Sequence, residues 1–334
     1  MHVVVTDQFA GVERHVVTVG NGLFGRGWTV TVVGGQAALM RAALDPGVEH
    51  HGVTGIGSTL RRLSHCRRVD LLHAHLTAGE FSATLAAPLL RAPVLATRHI
   101  AALRGSSRAG RIAAPIIRRA LAVQLAPSHF LADEISEDCR VLPSGVPDRP
   151  RSGSHRERSV LVLQRLESEK ATGIAVSAFA ASGLADCGWR LVIAGRGAAE
   201  HALREQCRAT GVQDAVDFLG FIPDPSDLLS RASVLFAPTP AEAFGLSVAE
   251  AMAAGLPVIA AGSGAHPELL GPGGWTFPPG DARRGGELLR LLAESPALAS
   301  AYGDELWTRQ RGLFNLDGYL DGLEQIYEEV LSRR

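Results

Sequence analysis

The sequence predicts an α/β fold in which two Rossmann-like domains face each other across a cleft. Three observations lead there. Short apolar runs alternate with helical stretches along all 334 residues, the pattern of parallel sheets covered by helices. A polar Pro/Gly/Ser segment at 147–154 interrupts that pattern and reads as a linker. Each half is then of ordinary domain size, and 46% hydrophobic residues supply two sizeable cores.

In chain order, the first half offers strands at 2–5, 29–33, 69–73, 93–97, 122–126 and 139–142. The second offers 159–163, 190–194, 216–219, 233–236 and 257–260. Residues 13–19 read as the first helix. Gly20, Gly22 and Gly25 spell G-x-G-x-x-G, but they fall near that helix's end. A dinucleotide fingerprint needs a strand before it and a helix starting at it, so that reading is set aside. Near the C-terminus, Tyr319, Leu320, Leu323, Ile326, Tyr327 and Val330 have the spacing of a helix with one buried face.

Composition narrows the function. A net charge of −1 gives no field for nucleic acid or membrane. Cys66, Cys139, Cys187 and Cys207 are scattered without a C-x-x-C pair, which suits a reducing cytosol and neither a disulfide scaffold nor a zinc site. Met1 opens directly onto an apolar strand with no charged leader, so no signal peptide is expected and the location is cytoplasmic. No apolar run is long enough to span a bilayer.

The stretch 238–258, PTPAEAFGLSVAEAMAAGLPV, is the most informative. The apolar Val234, Leu235 and Phe236 feed it from a buried strand. Residues 246–254 read as a helix, with Gly255 where a left-handed C-terminal cap would sit. The start of that helix aims free N–H groups and the positive end of its dipole at the loop, an arrangement suited to a phosphate. Glu242 stands on the loop, and Glu250 lies inside the helix.

These residues resemble the E-x7-E signature of retaining GT-B glycosyltransferases, family 4, group 1. Glu242 and Glu250 form the pair, flanked by the matching Phe244-Gly245-Leu246, Glu250-Ala251-Met252-Ala253 and Gly255-Leu256-Pro257-Val258. The resemblance implies a GT-B fold. Residues 1–150 would bind the acceptor, 151–315 the nucleotide sugar, and helix 316–334 would cross back to the first domain. Lys170, the chain's single lysine, lies with Arg165 in a loop after a strand, where the family holds the donor diphosphate. Gln164 stands where relatives have glycine.

Further site residues follow from the resemblance. Gly11, in the first strand-to-helix loop, would let the backbone approach the donor phosphates, though relatives have a longer loop with paired glycines. His99 follows a strand and would hydrogen-bond the donor sugar. Gly195 closes a strand in a Gly-x-Gly whose usual acidic middle residue is Arg196 here. Gly195 and the backbone of Ile222 would meet the nucleotide. His73 and His75 flank Ala74 at a strand end; a metal pair would need further ligands, none is visible by spacing, and the favoured reading is that one of them lines the acceptor pocket or is structural. With no D-x-D triplet and no P-loop, a manganese-dependent fold and an ATPase both lose their signatures.

By the same resemblance the reaction is metal-independent and retaining, with the nucleotide-diphosphate sugar as co-substrate and no cofactor. Glu242 would orient the sugar with N–H groups of Phe244, Gly245 and Leu246, and Glu250 would take the ribose hydroxyls. The acceptor would be a hydroxylated small molecule, lipid or glycan. Arg61, Arg62, Arg67, Arg68, Arg104, Arg108, Arg111, Arg118 and Arg119 could meet an anionic acceptor or a lipid headgroup surface, or form a solvated face. Two other readings stay open: a catalytically silent partner subunit, and an epimerase or phosphorylase on the same scaffold.

Overall fold

A computed structural model of the chain describes residues 1–66, 68–100, 108–135, 138–151 and 156–333, with the backbone alone over 108–113. The strands are β1 (His2–Val4), β2 (Thr31–Gly34), β3 (Glu49–His51), β4 (Leu72–His75), β5 (Val94–Thr97), β6 (Leu121–Ala126) and β7 (Arg140–Val141), then β8 (Ser159–Leu163), β9 (Arg190–Ala194), β10 (Val216–Gly220), β11 (Val234–Ala237), β12 (Val258–Ala261) and β13 (Trp275–Phe277). They form two sheets, ordered β3-β2-β1-β4-β5-β6-β7 and β10-β9-β8-β11-β12-β13. Every recorded pairing is parallel. The chain divides into one unit of Met1–Gly145 with Leu316–Arg334 and another of Val146–Asn315.

The first sheet buries both faces. One packs Val4, Val32 and Leu95 against Val16 and Leu23 of the helix Gly11–Gly25 and against the C-terminal helix Leu316–Ser332. The other packs Val3, Val33 and Leu72 against Ala83 and Ala86. In the C-terminal helix, Tyr319, Leu320, Leu323, Ile326, Tyr327 and Val330 are all buried, as their spacing predicts. Each such side chain removed from water contributes about 1.5–3 kcal/mol before entropic losses. Arg26 pins this helix from the first one through Asp317 at 3.0 Å and Glu324 at 2.8 Å. The second unit has its own core around Val160, Phe179, Ile193, Phe236 and Leu289.

Most expected strands appear within a few residues. The third, expected at 69–73, is β4 at Leu72–His75. Val69 owes its apolar character to packing against the core from outside the ladder. The expected strands do not include β3 and β13, two three-residue strands at sheet edges, whereas the other edge strands, β7 and β10, were expected. The first helix continues past residue 19 through Gly20, Gly22 and Gly25, and no helix starts at these glycines. A Cβ on Gly22 would lie 2.5 Å from Leu320, which gives that glycine a packing role. Among the described residues, no disulfide joins any of the four cysteines. Among the described residues no helix is long and apolar enough to cross a membrane. Linker residues 152–154, Arg67 and Arg104 lie outside the described residues, as do the side chains of Arg108 and Arg111.

Candidate active site

In an open parallel sheet, ligand sites form at the carboxyl ends of strands where the strand order reverses. In the second sheet that point lies between β8 and β11. The loop after β8 carries Gln164, Arg165 and Lys170, and the loop after β11 carries Glu242 and leads into the helix Leu246–Ala253. Lys170 closes a 3-10 turn, and its Nζ donates to Glu242 Oε2 at 2.8 Å. The two side chains are 19% and 22% exposed, so water still reaches both. Burial works to raise the Glu242 pKa. The Lys170 ammonium, aided by His266 and the Ala243 N–H, outweighs it and holds the carboxyl below its ordinary range.

Gln164, where relatives have glycine, ties the two loops together. Its amide donates to the Lys170 carbonyl and the Thr172 hydroxyl, both at 2.8 Å, and its oxygen accepts from the Thr239 hydroxyl at 2.9 Å. A third loop, after β12, buttresses Glu242. The Ala265 N–H donates to the Glu242 carbonyl at 2.9 Å. Gly264 has φ +63°, and a Cβ there would stand 2.7 Å from the Glu242 nitrogen. His266 is buried, and its Nδ1–H donates to the Ala261 carbonyl at 3.2 Å. Spacing gave no sign of Gly264 or His266, because β12 separates them from the signature.

Gly245 caps the helix start at φ +98° without a side-chain acceptor, so the leading amides, Leu246 among them, keep no side-chain cap. Gly255 adopts φ +62°, the left-handed turn expected at the other end. Phe244 is buried edge-on to Phe314, and Glu250 lies half-buried within the helix. The structure therefore gathers Lys170 and Glu242 beside the loop that leads to this helix. Arg165 is exposed and pairs with Glu169 at 3.0 Å. A Cβ on Gly195 would fall 1.8 Å from the Gln164 carbonyl oxygen, so this glycine is required by the chain's own packing. Ile222 is half-buried in the loop after β10.

The first unit has its reversal between β1 and β4. Gly11 is the first residue of its helix, set there by Glu13, whose carboxylate accepts from the Ala10 N–H at 2.8 Å and the Thr6 hydroxyl at 2.7 Å. His73 and His75 share a face of β4, being two residues apart. Parallel pairing sets His2 opposite His73. His75 bonds His2 at 3.1 Å through Nε2 and His99 at 2.9 Å through Nδ1. His73 bonds the Tyr327 hydroxyl at 2.6 Å and the Thr97 hydroxyl at 2.7 Å. Burial lowers the pKa of His2, His73, His75 and His99, and pushes His15 down to about 4. Beside His99, the buried Arg98 approaches the buried Glu80 at 3.9 Å.

Spacing showed no third partner for His73 and His75, yet β1 brings His2 to them, and ligand atoms of the three lie within 4.8 Å of one another. Both nitrogens of His73 and both of His75 also take part in the hydrogen bonds just given.

Residues 148–305 match the family model described as glycosyl transferases group 1, and residues 9–148 match that of glycosyltransferase family 4. The chain belongs to this glycosyltransferase family. Its relatives include the lipopolysaccharide core biosynthesis mannosyltransferase LpcC of Rhizobium leguminosarum bv. viciae, 28% identical over 293 residues that cover 81% of this chain and 79% of LpcC. An exopolysaccharide phosphotransferase of Streptomyces coelicolor is 32% identical over 199 residues, covering 58% of this chain and 21% of that protein, so the match spans about a fifth of its length. Anabaena HepE, solved with UDP and glucose, superposes with a TM-score of 0.82 at 18% identity over 98% of each chain. The fold of this glycosyltransferase is GT-B.

Proposed function

We propose that this glycosyltransferase moves a sugar from a nucleotide-diphosphate sugar to a hydroxyl acceptor, with retention at the anomeric carbon and without a metal ion. The observation that carries the reading is the Lys170–Glu242 pair at 2.8 Å, on the loops after β8 and β11. One of the three Lys170 N–H groups meets Glu242, which leaves the others for a phosphate oxygen. Arg165 and the uncapped helix start add positive potential for the departing diphosphate. In that role a fixed cation replaces a metal.

The bond from the anomeric carbon to the diphosphate oxygen breaks while the bond to the acceptor oxygen forms on the same face. The acceptor's proton passes to the leaving diphosphate. Glu242 orients the sugar hydroxyls, with the N–H groups of Phe244, Gly245 and Leu246, and Glu250 accepts from the ribose hydroxyls. Gly195 and Ile222 lie along the nucleotide, Gly11 near the phosphates, and His99 hydrogen-bonds the sugar. HepE, solved with UDP-glucose, and the mannosyltransferase LpcC support a nucleotide-sugar donor. A glycan or lipid acceptor fits the lipopolysaccharide role of LpcC. Exposed Arg61, Arg118 and Arg119 would serve an anionic acceptor or peripheral contact with a lipid headgroup surface.

The test is a thermal-shift screen of nucleotide sugars, then nucleotide release with and without candidate acceptors and with chelator. Acceptor-dependent release that survives chelation and yields the same anomer supports the proposal. Binding without release would mark a silent partner subunit, and conversion of the donor alone an epimerase.

A further inference from the structure

We infer that His2, His75 and His99 form one hydrogen-bonded chain of imidazoles that presets whether His99 Nδ1 donates to or accepts from a ligand, which makes His2 and His75 positioning residues. The inference rests on the reading above in which His99 meets the transferred sugar.

The geometry is that of two well-aligned bonds. His2 Nδ1 and His75 Nε2 are 3.1 Å apart, and His75 Nδ1 and His99 Nε2 are 2.9 Å apart. The corresponding ring centroids are 5.4 and 5.2 Å apart, close to each N···N distance plus the centre-to-nitrogen distance of both rings. Each bond therefore runs along the line joining the ring centres, where the N–H and the lone pair point. Interplanar angles of 14° and 32° keep the rings near a common plane. Parallel pairing of His2 with His73 and Val4 with His75 fixes the first two rings in place.

A neutral imidazole has one N–H and one lone pair. If His99 Nε2–H donates to His75 Nδ1, His75 must carry its proton on Nε2. It then donates to His2 Nδ1, and His2 also carries its proton on Nε2. In the reverse sense all three protons sit on Nδ1. Any mixture sets two N–H groups or two lone pairs against each other, so the three rings share a tautomer. In the all-Nε2 state His99 presents a bare Nδ1 that accepts from a sugar hydroxyl; in the all-Nδ1 state it donates. Burial disfavours the charged form of all three rings, so the chain transmits orientation and does not store a proton. His73 lies against the chain, its ring 4.3 Å from that of His75, but its nitrogens face two hydroxyls that rotate to suit either tautomer.

The test is two-bond proton–nitrogen correlation spectroscopy on the full chain labelled at histidine nitrogen, near neutral pH. Each ring is assigned from the signal lost in its own variant. His2, His75 and His99 should report one tautomer. His2→Phe should shift the His99 ring nitrogens toward a mixture and lower kcat by about tenfold, the order of one lost aligned hydrogen bond, with nucleoside diphosphate affinity unchanged. His73→Phe should leave the His99 tautomer in place. Unlike tautomers in the unsubstituted protein, or His99 signals indifferent to His2→Phe, would overturn the inference. Shared tautomers together with a kcat indifferent to His99→Ala would support the chain and overturn the assigned role of His99.

Discussion

The two units assemble their chemistry by opposite routes. In the second, Lys170 and Glu242 form an ion pair on loops that water still reaches. In the first, His2, His15, His73 and His75 are buried on strands and a helix, where burial holds them neutral. A loop at a strand end can carry an ion because solvent and an opposite charge offset its desolvation. A packed sheet face favours groups that hydrogen-bond without charge. Substitution in the loop site should therefore affect function, and protonation in the sheet site should affect the fold.

The largest expected effect tests the loop half of that contrast. Lys170→Ala should lower kcat by about 10²–10³-fold while the thermal midpoint stays within about 2 °C. Loss of cooperative melting in that variant would show that the pair holds the unit together.

Acid tests the other half. A histidine whose folded pKa is depressed binds its proton first in the unfolded chain. Stability is complete above the ordinary value near 6.5 and falls as pH drops toward the folded value. For His15, pushed down to about 4, that is a loss of about 3 kcal/mol. His2, His73, His75 and His99 shift in the same direction. In the second unit Glu242 is held below its ordinary range and begins to lose its contribution only at lower pH, as its carboxyl protonates, and among the described residues His266 alone joins the acid-sensitive histidines there, against five in the first unit. Calorimetry with limited proteolysis between about pH 7.5 and 5.5 should thus show the first unit opening before the second. Simultaneous opening would erase the distinction.

Smaller effects sharpen it. Glu250→Ala should raise the donor KM about tenfold with kcat nearly kept, as expected for uniform binding of ribose. Gln164→Ala should cost about 1–2 kcal/mol and reduce kcat a few-fold, since two hydrogen bonds that shape the Lys170 loop and one that joins it to the Glu242 loop are lost. A loss of stability with kcat intact would mean that the loops hold their positions without Gln164.

The same contrast governs what could be read in advance. Glu242, Gly245, Leu246, Glu250 and Gly255 lie within a few turns of chain, so a linear motif revealed them and even the left-handed glycine. Lys170 was conspicuous through its rarity. The imidazole chain was not legible, because His2, His75 and His99 meet only through the order β1-β4-β5, which no spacing encodes. Gln164 looked like a departure from a glycine, and its three bonds need the folded loops to be visible. Edge strands β3 and β13, three residues each, were missed as too short to show a pattern, whereas the central strands, buried on both faces, announced themselves.

The solitary lysine has a practical consequence. In 334 residues the sequence offers amine-directed reagents a single ε-amino target, and it sits against Glu242 on the proposed donor side. Mild acylation or reductive methylation therefore addresses one place among the side chains. The rate at which nucleotide sugars shield Lys170 from such a reagent would report donor occupancy directly, before any acceptor is known.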